Sequence, residues 1–515
     1  MKWQQFWSTL FRLRLRSVRQ RNTLTEERRI DGLASSESQA VGHSGPGGGG
    51  ERQWRTASVD GRSRGRSDVT VGLDFGTSST KIAYRITKGG LPQVIPMVFP
   101  AKYALAAEPY CLPNLAAVDD EGTLLVGAEA STELQTEPWD RGMRRVKVLV
   151  AGEVDGRFQD AGARDAFERE SLRLPGTREW RPCDLMATMV AYQMEFVRSQ
   201  LTEEYPNNEL NINFNLCVPI DHVENNDVLA AYRRIADVAQ RLEHEYLGRY
   251  QASGDHLECA AILFDEETGI EPEERRVHLF PEAVAQVATY MASLQARSGL
   301  HALIDFGAGT TDFSIFILVD PRSDSAKSEW LASSNFPVGT HKIEGALAEY
   351  LRGECEDHSR SAVIAIMRQL QTRERDLQDK ATTILEELKH DMNPTWVEAY
   401  RKYKVQSAFQ GDAVQVFYTG GGALLPGVER IFCRSYMQND PEHPIAQVPA
   451  PKEYEKRNPA VPFHRMSVAF GLTVPMPVLA EYVLPADVRD RTPKLQPVDW
   501  DQRSAVDTVY PTTDW

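Results

Sequence analysis

Apolar residues are spaced unevenly along the 515-residue chain, and the spacing divides it into regions. In residues 3–13, Trp3, Phe6, Trp7, Leu10, Phe11 and Leu13 fall on one face at a period of 3.6, with Gln4, Gln5, Ser8, Thr9 and Arg12 opposite. That spacing predicts a short amphipathic helix within a basic arm over residues 1–30. Residues 31–67 carry Gly, Ser, Arg and Gln and too few apolar side chains to offset the entropy of ordering, so they read as a disordered linker. From residue 68 the character changes. Val69 to Asp74 predicts a buried strand, with Lys81 to Arg85 as its hairpin partner. Strand-length apolar runs recur at 214–219, 302–305, 313–318 and 414–418. Helical periodicity occupies 184–203, 226–247, 281–296, 341–352 and 361–391. Strands alternating with helices predict an α/β fold. The polar stretch 248–278 reads as an inserted loop, and 476–515 as a C-terminal tail.

Charge sharpens this division. Residues 1–67 hold 13 Lys and Arg against 6 Asp and Glu, which leaves 45 basic and 67 acidic residues in the remainder. An acidic body argues against nucleic acid as a partner, since that binding needs basic surface to displace counterions. The arm suits a peripheral membrane contact through residues 1–21; a helix docking on a partner protein, a disordered arm and an organelle-targeting presequence fit the same pattern. Six cysteines lie too far apart in sequence for a zinc or redox motif, and neither a secretory signal nor a spanning run is expected. These features predict a cytoplasmic protein, peripheral at a membrane surface if the arm binds lipid.

Three glycine turns carry the candidate chemistry. The first is Asp74-Phe75-Gly76-Thr77-Ser78-Ser79-Thr80-Lys81 and the second Asp305-Phe306-Gly307-Ala308-Gly309-Thr310-Thr311-Asp312. Each places an Asp at the end of an apolar strand, a glycine two residues on, then hydroxyl residues and a second strand. Glycine lets backbone N–H groups approach phosphate oxygens, hydroxyls add donors, and a carboxylate suits Mg²⁺, which sheds its waters reluctantly. One such turn is a common hairpin. Two of them suggest a duplicated domain clamping one phosphate chain. The third turn, Thr419-Gly420-Gly421-Gly422, follows a strand and precedes a helix-like segment, where a flat nucleoside can approach the backbone.

In this order the three turns resemble those of the superfamily of actins, sugar kinases and seventy-kilodalton heat-shock chaperones, over about residues 69 to 475. The chaperone branch is the most similar. Tyr110 to Asn114, Leu125 to Ala130, Met143 to Val150, Asn215 to Pro219, Glu386 to Lys389 and Ser467 to Gly471 look like its segments. The resemblance implies two ribonuclease-H-like lobes around a nucleotide cleft, residues 68–221 and 222–475, the second including an adenine-contacting helical subdomain at 340–412. It implies ATP and Mg²⁺ as cofactors and slow ATP hydrolysis. Asp74 and Asp305 would order the metal; Gly76, Thr77, Ser78, Gly307, Gly309 and Thr310 would hold phosphates. Lys147 would touch the terminal phosphate, with Asp312 assisting near the metal. Gly420 and Gly421 would pack on the nucleoside, met from the other side by Glu386 and Lys389.

The chain departs from that family twice. Where the chaperones have Glu-Pro, this sequence reads Phe280-Pro281-Glu282, so either Glu282 or Gln286, one turn on, is the candidate to orient water. After Gly471 neither the peptide-binding sandwich nor the lid of the chaperones is expected in this sequence. The expected function is a chaperone-like nucleotide switch read by an unidentified protein partner. The main alternative is a membrane-associated bacterial-actin-like filament protein. A small-molecule kinase and a nucleotide-binding pseudoenzyme are weaker alternatives.

Overall fold

The computed structural model describes residues 65–88, 91–100, 109–118, 124–130, 142–154, 181–245, 254–342, 374–434, 442–454, 461–475 and 482–488, a few positions within these ranges excepted. The amphipathic arm, nearly all of the linker, residues 343–373 and the end of the tail lie outside them. No helix among the described residues is long and apolar enough to cross a membrane.

Strand β1 (Gly65–Phe75) buries Val69, Val71, Leu73 and Phe75 almost completely. It pairs antiparallel with β2 (Ser79–Lys88) and β2 with β3 (Leu91–Pro96). The short strand β4 (Leu112–Pro113) joins β2, and β5 (Ala116–Val118), β6 (Leu124–Val126) and β7 (Gly142–Met143) make a small separate sheet. On its other side β1 runs parallel to β8 (Asn208–Val218), and β8 to β9 (Val277–Pro281). The first sheet therefore has the order β3-β2-β1-β8-β9.

The second sheet repeats that plan. Strand β10 (Gly299–Phe306) pairs antiparallel with β11 (Thr311–Val319), and β11 with β12 (Lys327–Phe336). On the other side β10 runs parallel to β13 (Val414–Thr419), and β13 to β14 (Ile445–Gln447). The order β12-β11-β10-β13-β14 and the sense of every pairing match the first sheet strand for strand. The added strand β15 (Tyr482–Val483) lies parallel to β12, which places residues 482–488 of the expected tail on the fold. Beyond it the Ala486 N–H donates to Glu224 and Lys402 donates to the Pro485 carbonyl.

Ten helices among the described residues cover these sheets: α1 (Val146–Val154), α2 (Pro182–Glu204), α3 (Ile220–Glu224), α4 (Asn226–Glu245), α5 (Gly254–Asp265), α6 (Glu282–Met291), α7 (Glu374–Asp391), α8 (Asn393–Lys402), α9 (Val428–Phe432) and α10 (Phe463–Gly471). Helix α4 buries Val228, Tyr232, Ile235, Ala239 and Leu242, a stripe at helical spacing, against α2 and α5. Two expectations change here. The stretch 248–278 contains helix α5, because Ala260, Ala261 and Leu263 find an apolar surface between α2 and α4. Residues 277–281, expected beyond the division between 221 and 222, add strand β9 to the first sheet, and α4 packs on helices of that sheet.

Helices α6 and α10 pack against each other, α10 on β1 and β2 of the first sheet and α6 also on β11 of the second. A Cβ on Gly471 would stand 1.7 Å from the Ala285 carbonyl oxygen, and one on Gly72 2.1 Å from that of Ala469. Backbone meets backbone at both points. Between α6 and the second sheet, His301 is buried between the rings of Phe316 and Phe417. Its Nδ1 lies 2.9 Å from the Gly299 carbonyl and its Nε2 3.2 Å from the Tyr290 hydroxyl.

Burial lowers the His301 pKa from 6.5 to about 4. The unfolded chain binds that proton at higher pH than the native state, so the stability from neutral burial is full above 6.5 and is lost as pH falls towards 4. Thermal melting of wild type and His301→Gln between pH 7 and 4 should show the variant losing less stability on acidification; equal acid slopes would refute this.

Candidate functional site

The two hairpins β1–β2 and β10–β11 end in the same turn. The Gly76 N–H donates to the Ser79 carbonyl at 3.2 Å, and the Gly307 N–H to the Thr310 carbonyl at 2.9 Å. In both, a Cβ on the glycine would lie 2.8 Å from that acceptor oxygen. Each turn follows an Asp paired across its hairpin, Asp74 with Lys81 and Asp305 with Asp312. The same structural position thus carries a cation on one side and a carboxyl on the other. The turns face each other. A Cβ on Gly309 would stand 2.7 Å from both Thr77 Cγ2 and Val148 Cγ2.

A buried network fixes the first turn. Gln193 donates to Thr80 Oγ1 at 3.1 Å, Thr80 to Asn114 Oδ1 at 2.7 Å, and the Asn114 amide to the Gly76 carbonyl. The Asn114 N–H also holds the Ser78 carbonyl, while the rest of Ser78 is exposed. The third turn crosses above the second. Gly420 has φ 86°, and a Cβ there would lie 2.2 Å from Asp305 Oδ1, so glycine is required by conformation and by space. Thr419 ties this turn to α10 through the His464 carbonyl at 2.9 Å and the Ser467 hydroxyl at 3.1 Å.

Around the turns lies a network of charges. Lys147, on α1, makes a buried 2.8 Å ion pair with Glu282, the first residue of α6. The carboxylate shifted past Pro281 thus still reaches the candidate lysine. Burial alone would pull the Lys147 pKa down, but Glu282 and other negative neighbours push it well above the ordinary lysine value, so the ammonium stays charged. Lys81 pairs with Asp74 at 3.1 Å and is likewise raised, the carboxylate outweighing burial. Gln286 donates to Asp305 Oδ2, and its own Oε1 is buried without a partner. Burial, then Glu282 and Asp74, raise the Asp305 pKa to about 7. Burial, then Glu282 and Asp305, hold Asp312 well above the ordinary carboxylate range, and Asn335 donates to its Oδ1 at 3.0 Å.

The structure therefore brings together Asp74, Gly76, Thr77, Lys147, Glu282, Gln286, Asp305, Gly307, Gly309, Thr310, Asp312 and Gly420. Gly421 continues the third turn. Glu386 is exposed on α7, and Lys389 lines a small cavity with Trp396, Phe432 and Arg434. Among the described residues no hydrogen bond or ion pair joins either of them to Gly420 or Gly421.

Four residues near the turns were given no role from sequence: Lys81, Asn114, Cys217 and Arg465. The Lys81 position was legible, since it stands at the end of the first motif, where the second has Asp312. Cys217 donates weakly to Asp74 Oδ1 at 3.7 Å. Ligand atoms of Asp74, Cys217 and Glu282 lie within 4.8 Å of one another. Asp74 and Glu282 each already hold a lysine there, which opposes a bare cation.

The donor set fits a metal–polyphosphate better than a metal alone. Carboxylate oxygens at Asp74 and Asp305 suit Mg²⁺ through its waters. Lys81, Lys147 and the hydroxyls of Thr77 and Thr310 suit phosphate oxygens. At Gly76, Gly307 and Gly309 a Cβ would collide with neighbouring atoms at 2.7–2.8 Å, so only glycine fits these turns. No family model matches the chain, and no curated protein matches it.

Proposed function

We propose that this chain is a Mg²⁺-dependent ATP-binding and ATP-hydrolysing switch with the two-lobed, actin-like architecture of duplicated ribonuclease-H-like domains, nearest in kind to the nucleotide-binding part of seventy-kilodalton heat-shock chaperones. The observation that carries this reading is the pair of equivalent turns, each on the central hairpin of a sheet of the same strand order, meeting at Thr77 and Gly309. A phosphate chain between them meets hydroxyls and N–H groups from both sides. Asp74 and Asp305 would hold Mg²⁺ through its waters, and the metal would neutralise phosphate charge. Lys147 turns its charge to the terminal phosphate, and Gln286 Oε1 accepts a hydrogen bond from the attacking water and orients it. Phosphoryl transfer asks mainly for positioning and charge stabilisation. Opening and closing of the lobes is the signal a partner protein reads.

ATP turnover by the full chain, with light scattering followed in the same cuvette, tests the reading. Mg²⁺-dependent hydrolysis that disappears in Asp305→Ala, at constant scattering, is the expected result. Hydrolysis accompanied by a rise in scattering above a critical concentration would favour a filament-forming protein instead. Absence of nucleotide binding by the wild type would overturn both.

A further inference from the structure

Three cations border the site, and the role of the third is not explained by the turns. Lys147 sits on Glu282 at 2.8 Å and Lys81 on Asp74 at 3.1 Å, and ligand atoms of those two carboxylates lie within 4.8 Å of each other. The third cation is Arg465. Arg465 lies in the first turn of α10, half-buried. Its Nη2 is 3.6 Å from Cys111 Sγ, next to β4 of the first sheet. Its Nη1 is 3.6 Å, and its Cζ 4.0 Å, from where a Cβ on Gly421 would sit. The guanidinium thus lies where the third glycine turn meets the first sheet. Its backbone is held there, because the carbonyl of the preceding residue, His464, accepts from both Thr419 Oγ1 and the Gly420 N–H.

This inference rests on the nucleotide reading and deepens it. With a nucleoside on Gly420 and Gly421 and its terminal phosphate at Lys147, the phosphate bonded to the nucleoside falls nearest the third turn, which Arg465 borders. We propose that Arg465 binds that first phosphate, so that the site selects phosphorylated nucleosides over bare ones independently of chain length. A planar guanidinium gives two parallel donors to one phosphate, which an ammonium cannot.

Calorimetric titration of the full chain with adenosine, AMP, ADP and ATP in excess Mg²⁺ tests this, using Arg465→Gln, Arg465→Lys and the paired variant Lys147→Met/Glu282→Leu. Arg465→Gln should weaken AMP, ADP and ATP by one common factor of about tenfold or more and leave adenosine unchanged. Arg465→Lys should recover part of that loss, and the paired variant should weaken ATP alone. Melting curves check that each variant is folded; if Arg465→Gln is not, the comparison passes to Arg465→Lys, which should show the same pattern at smaller size. Wild-type affinity for AMP in the glutamine variant, or equal loss of adenosine, would overturn the assignment while leaving nucleotide binding standing. A wild type that binds none of the four would take down the nucleotide reading itself.

Discussion

Lys147→Met is expected to lower stability by about 3–5 kcal/mol and to abolish ATP turnover. The ammonium and the Glu282 carboxylate are both about nine-tenths buried, at 2.8 Å. Removing one partner leaves the other charged in a poorly solvating interior, and that uncompensated charge, more than the lost attraction, sets the size of the effect. The double variant Lys147→Met/Glu282→Leu should therefore recover most of the stability, because an apolar pair of similar volume replaces a desolvated ion pair at little net cost. It should not recover turnover. Denaturant unfolding together with ATP hydrolysis separates the two roles. If the single and double variants were equally unstable, the ion pair would not be the source of the loss. If the double variant turned over ATP, Lys147 would be structural only.

A second large effect is expected far from any charge. Gly471→Ala should destabilise the protein by about 3 kcal/mol or more, at the upper end of what overpacking costs. The new methyl would overlap the Ala285 carbonyl oxygen at 1.7 Å and its carbon at 2.5 Å. Both belong to helix backbone, so no side chain can swing away; α6 and α10 must separate. Glu282 and Gln286 lie on α6 and Arg465 on α10, so the movement should also loosen nucleotide binding. Gly421→Ala is the control for stability, since its Cβ would meet nothing nearer than Arg465 Nη1 at 3.6 Å. Calorimetric melting should place this control near wild type and Gly471→Ala far below it. Equal melting temperatures would show that the two helices are not locked at this crossing.

What could be read from residues alone had local causes. The hairpins at Asp74 and Asp305 were legible because strand, glycine and hydroxyl residues lie within eight positions, and turn geometry depends on neighbours in sequence. The α/β class followed from alternating periodicities for the same reason. Helix α5 was missed because its stretch is polar enough to suggest a loop, and its apolar side chains acquire meaning only against α2 and α4. Strand β9 begins inside the stretch read as a polar loop, and its place beside β8 depends on a partner distant in the chain. The sequence also left Glu282 and Gln286 as equals, whereas packing separates them. Glu282 is drawn to Lys147, and Gln286 to Asp305 with one buried oxygen left over.

The sequence by itself determined that two like turns exist, which residue types they carry, and that one ends in Lys81 where the other ends in Asp312. Only the tertiary structure decided that the turns meet at Thr77 and Gly309, that Lys147 is held by a carboxylate on the far side of Pro281, and that Arg465 borders the third glycine turn. The reason is physical. Turns and strands are set by contacts a few residues apart, whereas a site of charges is set by burial and by Coulomb interactions between segments joined only through the packing of α6 against α10.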